Sequence, residues 1–66
     1  MGDAAEYVWV YRYRYWDAEE EEERVSRKLA PIESIRMGLG QPLFETATKV
    51  KKSQLVGGFF EPDSNG

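Results

Sequence analysis

The chain has 66 residues, a formal net charge of −3 at pH 7, and neither cysteine nor histidine. A chain of this length forms one domain and buries only about 60% of the surface that its unfolded form exposes. Disulfides are excluded, and a zinc site would have to be built from carboxylates alone. Small domains without such cross-links often depend on association with another subunit. The length and composition of the chain therefore favour oligomerisation or unusually large buried side chains.

The composition also limits catalysis. Nucleophile and base pairs usually draw on Cys, on His, or on a Ser activated by His, and no such pair can be assembled from these residues. Most of the acids lie in one run rather than at two separate strand ends, where a catalytic carboxylate pair would be expected. The glycines lack the spacing of a phosphate-binding loop. The sequence therefore predicts a protein that is not an enzyme and that binds no cofactor or metal ion.

The N-terminal segment MGDAAE carries acids rather than a basic region. No apolar run approaches the length of a signal peptide or of a membrane span. The absence of cysteine suits a reducing compartment. We therefore expect a cytoplasmic protein that makes no membrane contact.

Charge is unevenly distributed along the chain. Residues 17–23, DAEEEEE, hold six acids, whereas residues 24–52 hold seven bases against two acids. The simplest interpretation of the acidic run is a solvated loop. The alternative is a pseudo-ligand that covers the basic residues when no partner is bound.

Residues 7–16, YVWVYRYRYW, are rich in aromatic and β-branched side chains and contain neither Gly nor Pro, which is typical of a strand. Successive side chains of a strand point to opposite faces. One face is therefore wholly aromatic, and we call its five members the aromatic row: Tyr7, Trp9, Tyr11, Tyr13 and Tyr15. The other face carries Val8, Val10, Arg12, Arg14 and Trp16.

Residues 17–30 fit two structures. As a helix, the segment would gain an N-cap and i,i+4 ion pairs, but only Val25 and Leu29 would face inward, which is too narrow a stripe to dock. As a hairpin arm, residues 21–30 would return antiparallel to the first strand after a loop at residues 17–20. The narrow apolar stripe favours the hairpin.

The charges favour a hairpin register that places Arg14 opposite Glu23. On the other face, this register predicts two cation–π pairs, each worth about 0.5 to 1 kcal/mol when exposed: Tyr13 with Arg24, and Trp9 with Lys28.

After Ala30, the stretch PIESIRMGLG predicts a short helix with Ile32, Ile35 and Leu39 on one side, and Gly40 is placed to end it in a left-handed conformation. Residues 43–50, LFETATKV, alternate in part and favour a third strand, with a helix from Pro42 to Leu55 as the alternative.

The remaining residues are expected to form turns and the C-terminal tail. Residues 51–55 are expected to form one turn, the Gly57-Gly58 pair to break it, and Phe59 and Phe60 to fold back as an apolar plug. The predicted fold class is a small α+β domain over residues 6–60: an antiparallel hairpin, a short helix and a third strand, in the order ββαβ. Residues 1–5 and 61–66 are expected to be flexible termini.

One helix can cover only one face of such a sheet. We expect it to pack on the face that carries Val8, Val10, Val25 and Leu29, which leaves the aromatic row exposed. The alternative is that the row is itself the core, since each aromatic ring buries about 150 to 250 Å². Four of its five members are Tyr, however, whose hydroxyls need partners once buried, so the row suits a contact surface better.

Three functions fit this pattern. The first is an interaction module, most simply a homodimer that buries its aromatic rows or pairs its first strands edge to edge. The second is single-stranded nucleic-acid binding on the Tyr/Arg strand, which the negative charge disfavours. The third is a non-catalytic accessory subunit of a larger complex. The predicted binding residues are Tyr7, Trp9, Tyr11, Tyr13, Tyr15, Arg24 and Lys28.

Overall fold

The computed structural model describes residues 6–62. The flexible segments predicted for residues 1–5 and for residues 63–66 lie outside this range. The described part is a small α+β domain, as predicted. Its elements in chain order are β1 (Tyr7–Tyr11), β2 (Tyr13–Asp17), β3 (Glu22–Val25), β4 (Ala30–Pro31), the helical turn α1 (Ile32–Ser34), which continues as a π-helical turn (Ile35–Leu39), β5 (Gln41–Pro42), a 3-10 turn (Phe44–Thr46), β6 (Thr48–Lys51) and a second 3-10 turn (Lys52–Gln54).

The predicted hairpin is confirmed. The long first strand is divided into β1 and β2, and the chain returns antiparallel to them as β3 and β4. The helical alternative for residues 17–30 is wrong. The turn between the arms is closed by Asp17, whose Oδ1 accepts hydrogen bonds from the backbone N–H groups of Glu19 (3.0 Å) and Glu20 (3.2 Å). Asx turns of this kind compete with helix formation at the same residues.

The predicted register is wrong by two residues between β2 and β3 and by four residues between β1 and β4. Asp17 stays in β2 opposite Glu22, and Arg14 therefore faces Val25 rather than Glu23. The cause is the turn, which occupies residues 18–21 instead of 17–20. Within the β2–β3 pair, a shift of two residues leaves the relative faces of the side chains unchanged but changes their partners.

The return arm also carries a bulge. Arg14 lies opposite Val25 and Tyr11 lies opposite Ala30, so four residues of the return arm face two residues of the first strand. Extra residues in one arm bend a ladder and increase its local twist. The bend divides the pairing into two sheets, with strand orders β4-β1-β6 and β3-β2-β5.

The inward face of the first strand changes at this bend. In β1 the even-numbered Val10 is fully buried, whereas in β2 the odd-numbered Tyr13 and Tyr15 are half-buried and Arg14 is exposed. The aromatic row therefore does not occupy one continuous face.

Two hydroxyl groups hold the backbone at the bend. The N–H of Arg12 donates to Oγ1 of Thr46 (2.9 Å), and the N–H of Tyr13 donates to Oγ of Ser26 (3.0 Å). Each hydroxyl in turn donates to a carbonyl oxygen: Thr46 to Leu43 and Ser26 to Lys28, both at 2.6 Å. The side chains thus satisfy donors that a regular ladder would have paired.

The predicted helix over residues 31–40 is present as α1 and its continuation, and Ile35 is fully buried. The segment ends near two glycines with positive φ, Gly38 (137°) and Gly40 (150°). Gly40 also passes close to the backbone of β2, since a Cβ there would overlap the carbonyl oxygen of Arg14.

The third strand is confirmed but is shorter than predicted. It is β6 (Thr48–Lys51), which pairs antiparallel with β1. Phe44–Thr46 forms a 3-10 turn rather than strand, because Thr46 turns its hydroxyl back to Leu43, and the helical alternative from Pro42 is wrong. The predicted turn at Lys52–Gln54 is present.

Within residues 6–62, five apolar residues are buried: Val10, Leu29, Ala30, Ile35 and Val50. Val8, Leu55 and Phe60 pack partly buried against this core, which confirms the predicted apolar plug for Phe60. Val25 was expected here but is 50% exposed, because the register places it across from Arg14 on the outer face of the second sheet. None of the aromatic row is among the buried residues, so the row is not the core.

Replacing Asp17 with alanine is expected to lower the free energy of unfolding by about 1 kcal/mol. The change removes the acceptor for two turn N–H groups and the ion pair between Asp17 and Arg24 Nε (2.9 Å). Urea titration followed by tryptophan fluorescence measures the loss. The control is Glu22→Ala, which removes only the exposed ion pair to Arg24 Nη2 (3.1 Å) and should cost less than about 0.5 kcal/mol. Equal losses in the two variants would contradict this role of Asp17.

Candidate binding surfaces

The bend separates the aromatic row into two groups. Tyr7, Trp9 and Tyr11 lie on the outer face of β1, whereas Tyr13 and Tyr15 lie on β2 beyond Arg12. The sequence predicted a single surface of five rings, and the structure instead forms two aromatic surfaces in different sheets.

The first surface is the outer face of β1. Tyr7 is 51% exposed and Trp9 is 52% exposed, and the ring of Tyr11 makes an edge contact with Phe44 at 5.6 Å between centroids. We call Tyr7, Trp9, Tyr11 and Phe44 the β1 aromatic patch. Phe44 was not among the predicted site residues, because its contact depends on the 3-10 turn that the alternating pattern did not indicate.

Cations lie at one side of this patch. Lys49 of β6 is directly opposite Trp9, and its Nζ lies 5.2 Å from the centre of the Tyr7 ring. The predicted pairing of Trp9 with Lys28 is wrong, since β6 rather than the return arm runs beside Trp9. The predicted type of contact, a cation beside an aromatic ring, is present with a different lysine.

The second surface is an open groove of about 820 Å³. Its walls are β2, the bulge of the return arm, the end of the helical segment, and the turn before Phe60. We call it the tyrosine groove, and it is defined by Tyr13, Tyr15, Arg27, Lys28, Leu39 and Phe59. The Tyr13 and Tyr15 rings are tilted against each other at 6.1 Å between centroids.

Two cations of the tyrosine groove, Arg27 and Lys28, come from the bulge. Lys28 Nζ lies 5.1 Å from the centre of the Phe59 ring and 3.7 Å from Oε2 of Glu61. Arg27 is exposed and lines the same groove. The structure thus brings Lys28 together with Tyr13 and Tyr15, three of the predicted binding residues.

Arg24 does not belong to either aromatic surface. Its guanidinium binds Asp17 Oδ2 (2.9 Å, from Nε) and Glu22 Oε2 (3.1 Å, from Nη2). The predicted pair with Tyr13 is wrong, because the register places Arg24 opposite Tyr15 and the neighbouring carboxylates hold its charged group. Part of the acidic run therefore neutralises a base of the same hairpin.

Burial raises the pKa of the Tyr13 hydroxyl above its ordinary value of 10.0, and the neighbouring Tyr15 raises it further. The hydroxyl is consequently protonated and neutral at physiological pH. Tyr13 therefore adds no negative charge to the groove and can donate a hydrogen bond there.

The outer face of the second sheet is also partly apolar. Trp16 is 62% exposed, and Arg14 beside it pairs with Glu23 at 3.9 Å. At this distance and exposure the ion pair contributes little stability. Trp16 is thus an exposed tryptophan at the border of the tyrosine groove, which it also lines, and it lies outside the β1 aromatic patch that contains Trp9.

Among residues 6–62, no helix is long and apolar enough to cross a membrane. Comparison of the chain with protein-family models, with curated proteins and with solved structures gave no match.

Proposed function

We propose that this protein is a non-catalytic interaction module that associates with a second copy of itself through the β1 aromatic patch. The observation that carries the proposal is the half-exposure of Tyr7 and Trp9 on a strand whose opposite face contributes Val10 to the core. Tyr and Trp combine a large apolar area with a polar group and are enriched at protein interfaces. The cytoplasmic location expected from the sequence is part of this proposal.

The position of β1 within its sheet favours a face-to-face contact. β1 lies between β4 and β6, so it offers no fully open edge for strand pairing, and the edge of β6 carries Lys49 and Lys51. Lysines on edge strands oppose edge-to-edge association. The face-to-face version of the homodimer is therefore preferred over the edge-to-edge version.

Twofold symmetry suits this surface. In a symmetric dimer the same patch is used on both copies. An axis that passes near Trp9 would stack the aromatic rings of the two copies against each other. It would also carry the two β6 strands to opposite sides of the contact, which keeps the lysines of the two copies apart.

The test is sedimentation velocity over about two decades of protein concentration. The unmodified protein is expected to show a concentration-dependent dimer, and Trp9→Ser should weaken association roughly 30-fold, as for a central interface tryptophan. The matched control is Trp16→Ser, which removes an exposed tryptophan from the other sheet and should leave association unchanged. Thermal unfolding of both variants checks that the fold is retained.

A protein that stays monomeric at every concentration would overturn the self-association proposal. Equal effects of the Trp9 and Trp16 variants would also contradict it, because the contact would then not be specific to the β1 aromatic patch. If the protein is monomeric and Trp9→Ser abolishes binding of a defined heterologous chain, the accessory-subunit function replaces the homodimer.

A further inference from the structure

The tyrosine groove combines aromatic rings with cations, as the β1 aromatic patch does, but it gathers them around an open groove rather than on the face of a strand. Its aromatic lining residues are Tyr13, Tyr15, Trp16 and Phe59, and Arg27 and Lys28 contribute cations from the return arm. Arg14 lines the groove as well, and Glu23 is the one acid among the described lining residues. The lining is therefore aromatic and positively charged, although the whole chain carries a net charge of −3.

We propose that the tyrosine groove binds single-stranded nucleic acid, with bases stacked on Tyr13, Tyr15 and Phe59 and with phosphates contacting Arg27 and Lys28. Grooves that combine stacking rings with cations along the backbone path are the usual solution for sequence-tolerant single-strand binding. The site lies in a different part of the fold from the β1 aromatic patch, so the proposal does not depend on self-association.

The bulge removes the main geometric objection to such binding. Arg12 and Arg14 alternate with the tyrosines along one strand, and alternating side chains point to opposite faces. The required cations come instead from the return arm, where the two extra residues of the bulge place Arg27 and Lys28 beside the rings. Bulges often redirect side chains next to functional sites.

The groove fits an unpaired strand better than a duplex. Stacking on Tyr13 or Tyr15 requires an exposed base face, and the bases of a duplex are already stacked on one another. The groove is open rather than enclosed, so a polymer can enter and leave at its ends. Its volume of about 820 Å³ also lies within the usual range for ligand sites.

Binding must compete with contacts inside the protein. Lys28 already interacts with Glu61 and lies over the Phe59 ring. A phosphate would replace the Glu61 carboxylate as the anionic partner of Lys28, and a base would share the Phe59 ring with the ammonium group. The acidic turn opposes long-range attraction of phosphates, so binding is expected mainly at low ionic strength.

The experiment is fluorescence anisotropy of a labelled oligothymidylate of about 12 nucleotides, titrated with the full chain at several salt concentrations. Tyr15→Leu keeps apolar volume but removes the ring, and it should weaken binding about tenfold. The double variant Arg27→Gln, Lys28→Gln should weaken binding and reduce the slope of log K against log salt by about 1.4, as expected for two lost phosphate contacts.

The matched controls are Tyr7→Leu and Lys49→Gln, which remove a tyrosine ring and a cation from the outer face of the first sheet. Both should bind the oligonucleotide like the unmodified protein, and they also separate this proposal from self-association. Thermal unfolding identifies any variant that does not fold, and in that case Lys28→Gln alone, at a half-exposed side chain, replaces the double variant.

Three results would overturn the proposal. The first is no binding at low salt. The second is equal binding of a duplex of the same sequence, or equal loss in the Lys49→Gln control, because either would indicate non-specific charge attraction. The third is full competition by polyglutamate at matched charge, which would make the groove a site for acidic peptides instead.

Discussion

Gly40→Ala is expected to destabilise the domain by at least about 3 kcal/mol, which approaches the entire stability of a domain of this size. A Cβ at this position would overlap the carbonyl oxygen of Arg14 and lie 3.3 Å from Cα of Tyr15. Both obstacles are backbone atoms of β2, so no side-chain rotation can relieve them. The φ of Gly40 is also +150°, a conformation that residues with a side chain rarely adopt.

The overlap can be separated from the backbone strain by Gly38→Ala. Gly38 also has a positive φ, +137°, but no atom lies within 4 Å of the position of its Cβ. This variant should lose only the conformational term, about 1 to 2 kcal/mol. Urea titration followed by tryptophan fluorescence gives both values, and a Gly40→Ala variant no less stable than Gly38→Ala would refute the close approach of the helical segment to β2.

Ser26→Ala is expected to lower the free energy of unfolding by about 2 to 3 kcal/mol. Ser26 is a buried polar residue, with 5% of its surface exposed. Its hydroxyl accepts from the N–H of Tyr13 and donates to the carbonyl of Lys28. Alanine leaves both backbone groups without this partner in a site that water reaches poorly.

Thr46→Val tests the same idea at the adjacent donor, since it keeps the shape of the side chain and removes the hydroxyl that accepts from Arg12. Its cost should be smaller, about 1 to 2 kcal/mol, because Thr46 is only half-buried. Ser53→Ala, at an exposed serine of a 3-10 turn, is the control and should change stability by less than about 0.5 kcal/mol. A loss in Ser26→Ala no larger than that of the control would show that the bend needs no hydroxyl support.

The sequence predicted the hairpin because the run from Tyr7 to Trp16 is strongly β-forming and the following acids lack an apolar helical stripe. It did not predict the register between β2 and β3, where Asp17 closes the turn and each pair is shifted by two residues. Alternation alone also cannot locate a bulge. The two extra residues beside Arg12 become visible only when the pairing at both ends of the arm is known.

The candidate sites were predictable to a similar extent. Tyr13, Tyr15 and Lys28 were predicted as binding residues, and the structure gathers them in the tyrosine groove. Arg24 was predicted beside Tyr13, but Asp17 and Glu22 are nearer and more strongly attracted to it. The contributions of Phe44 and Phe59 depend on turns in the second half of the chain. The local pattern predicted a strand that contains Phe44 and an apolar plug that contains Phe59, but it did not predict which aromatic surface each ring would join.

The continuity of the first strand through both sheets has a consequence for cooperativity. β1 is the middle strand of one sheet and β2 is the middle strand of the other, with only Arg12 between them. Because β1 and β2 are joined directly, the central strand of one sheet cannot separate without displacing the central strand of the other sheet. The domain should therefore open as one unit rather than sheet by sheet, and a ligand that stiffens the tyrosine groove would also slow the opening of the face that carries Tyr7 and Trp9.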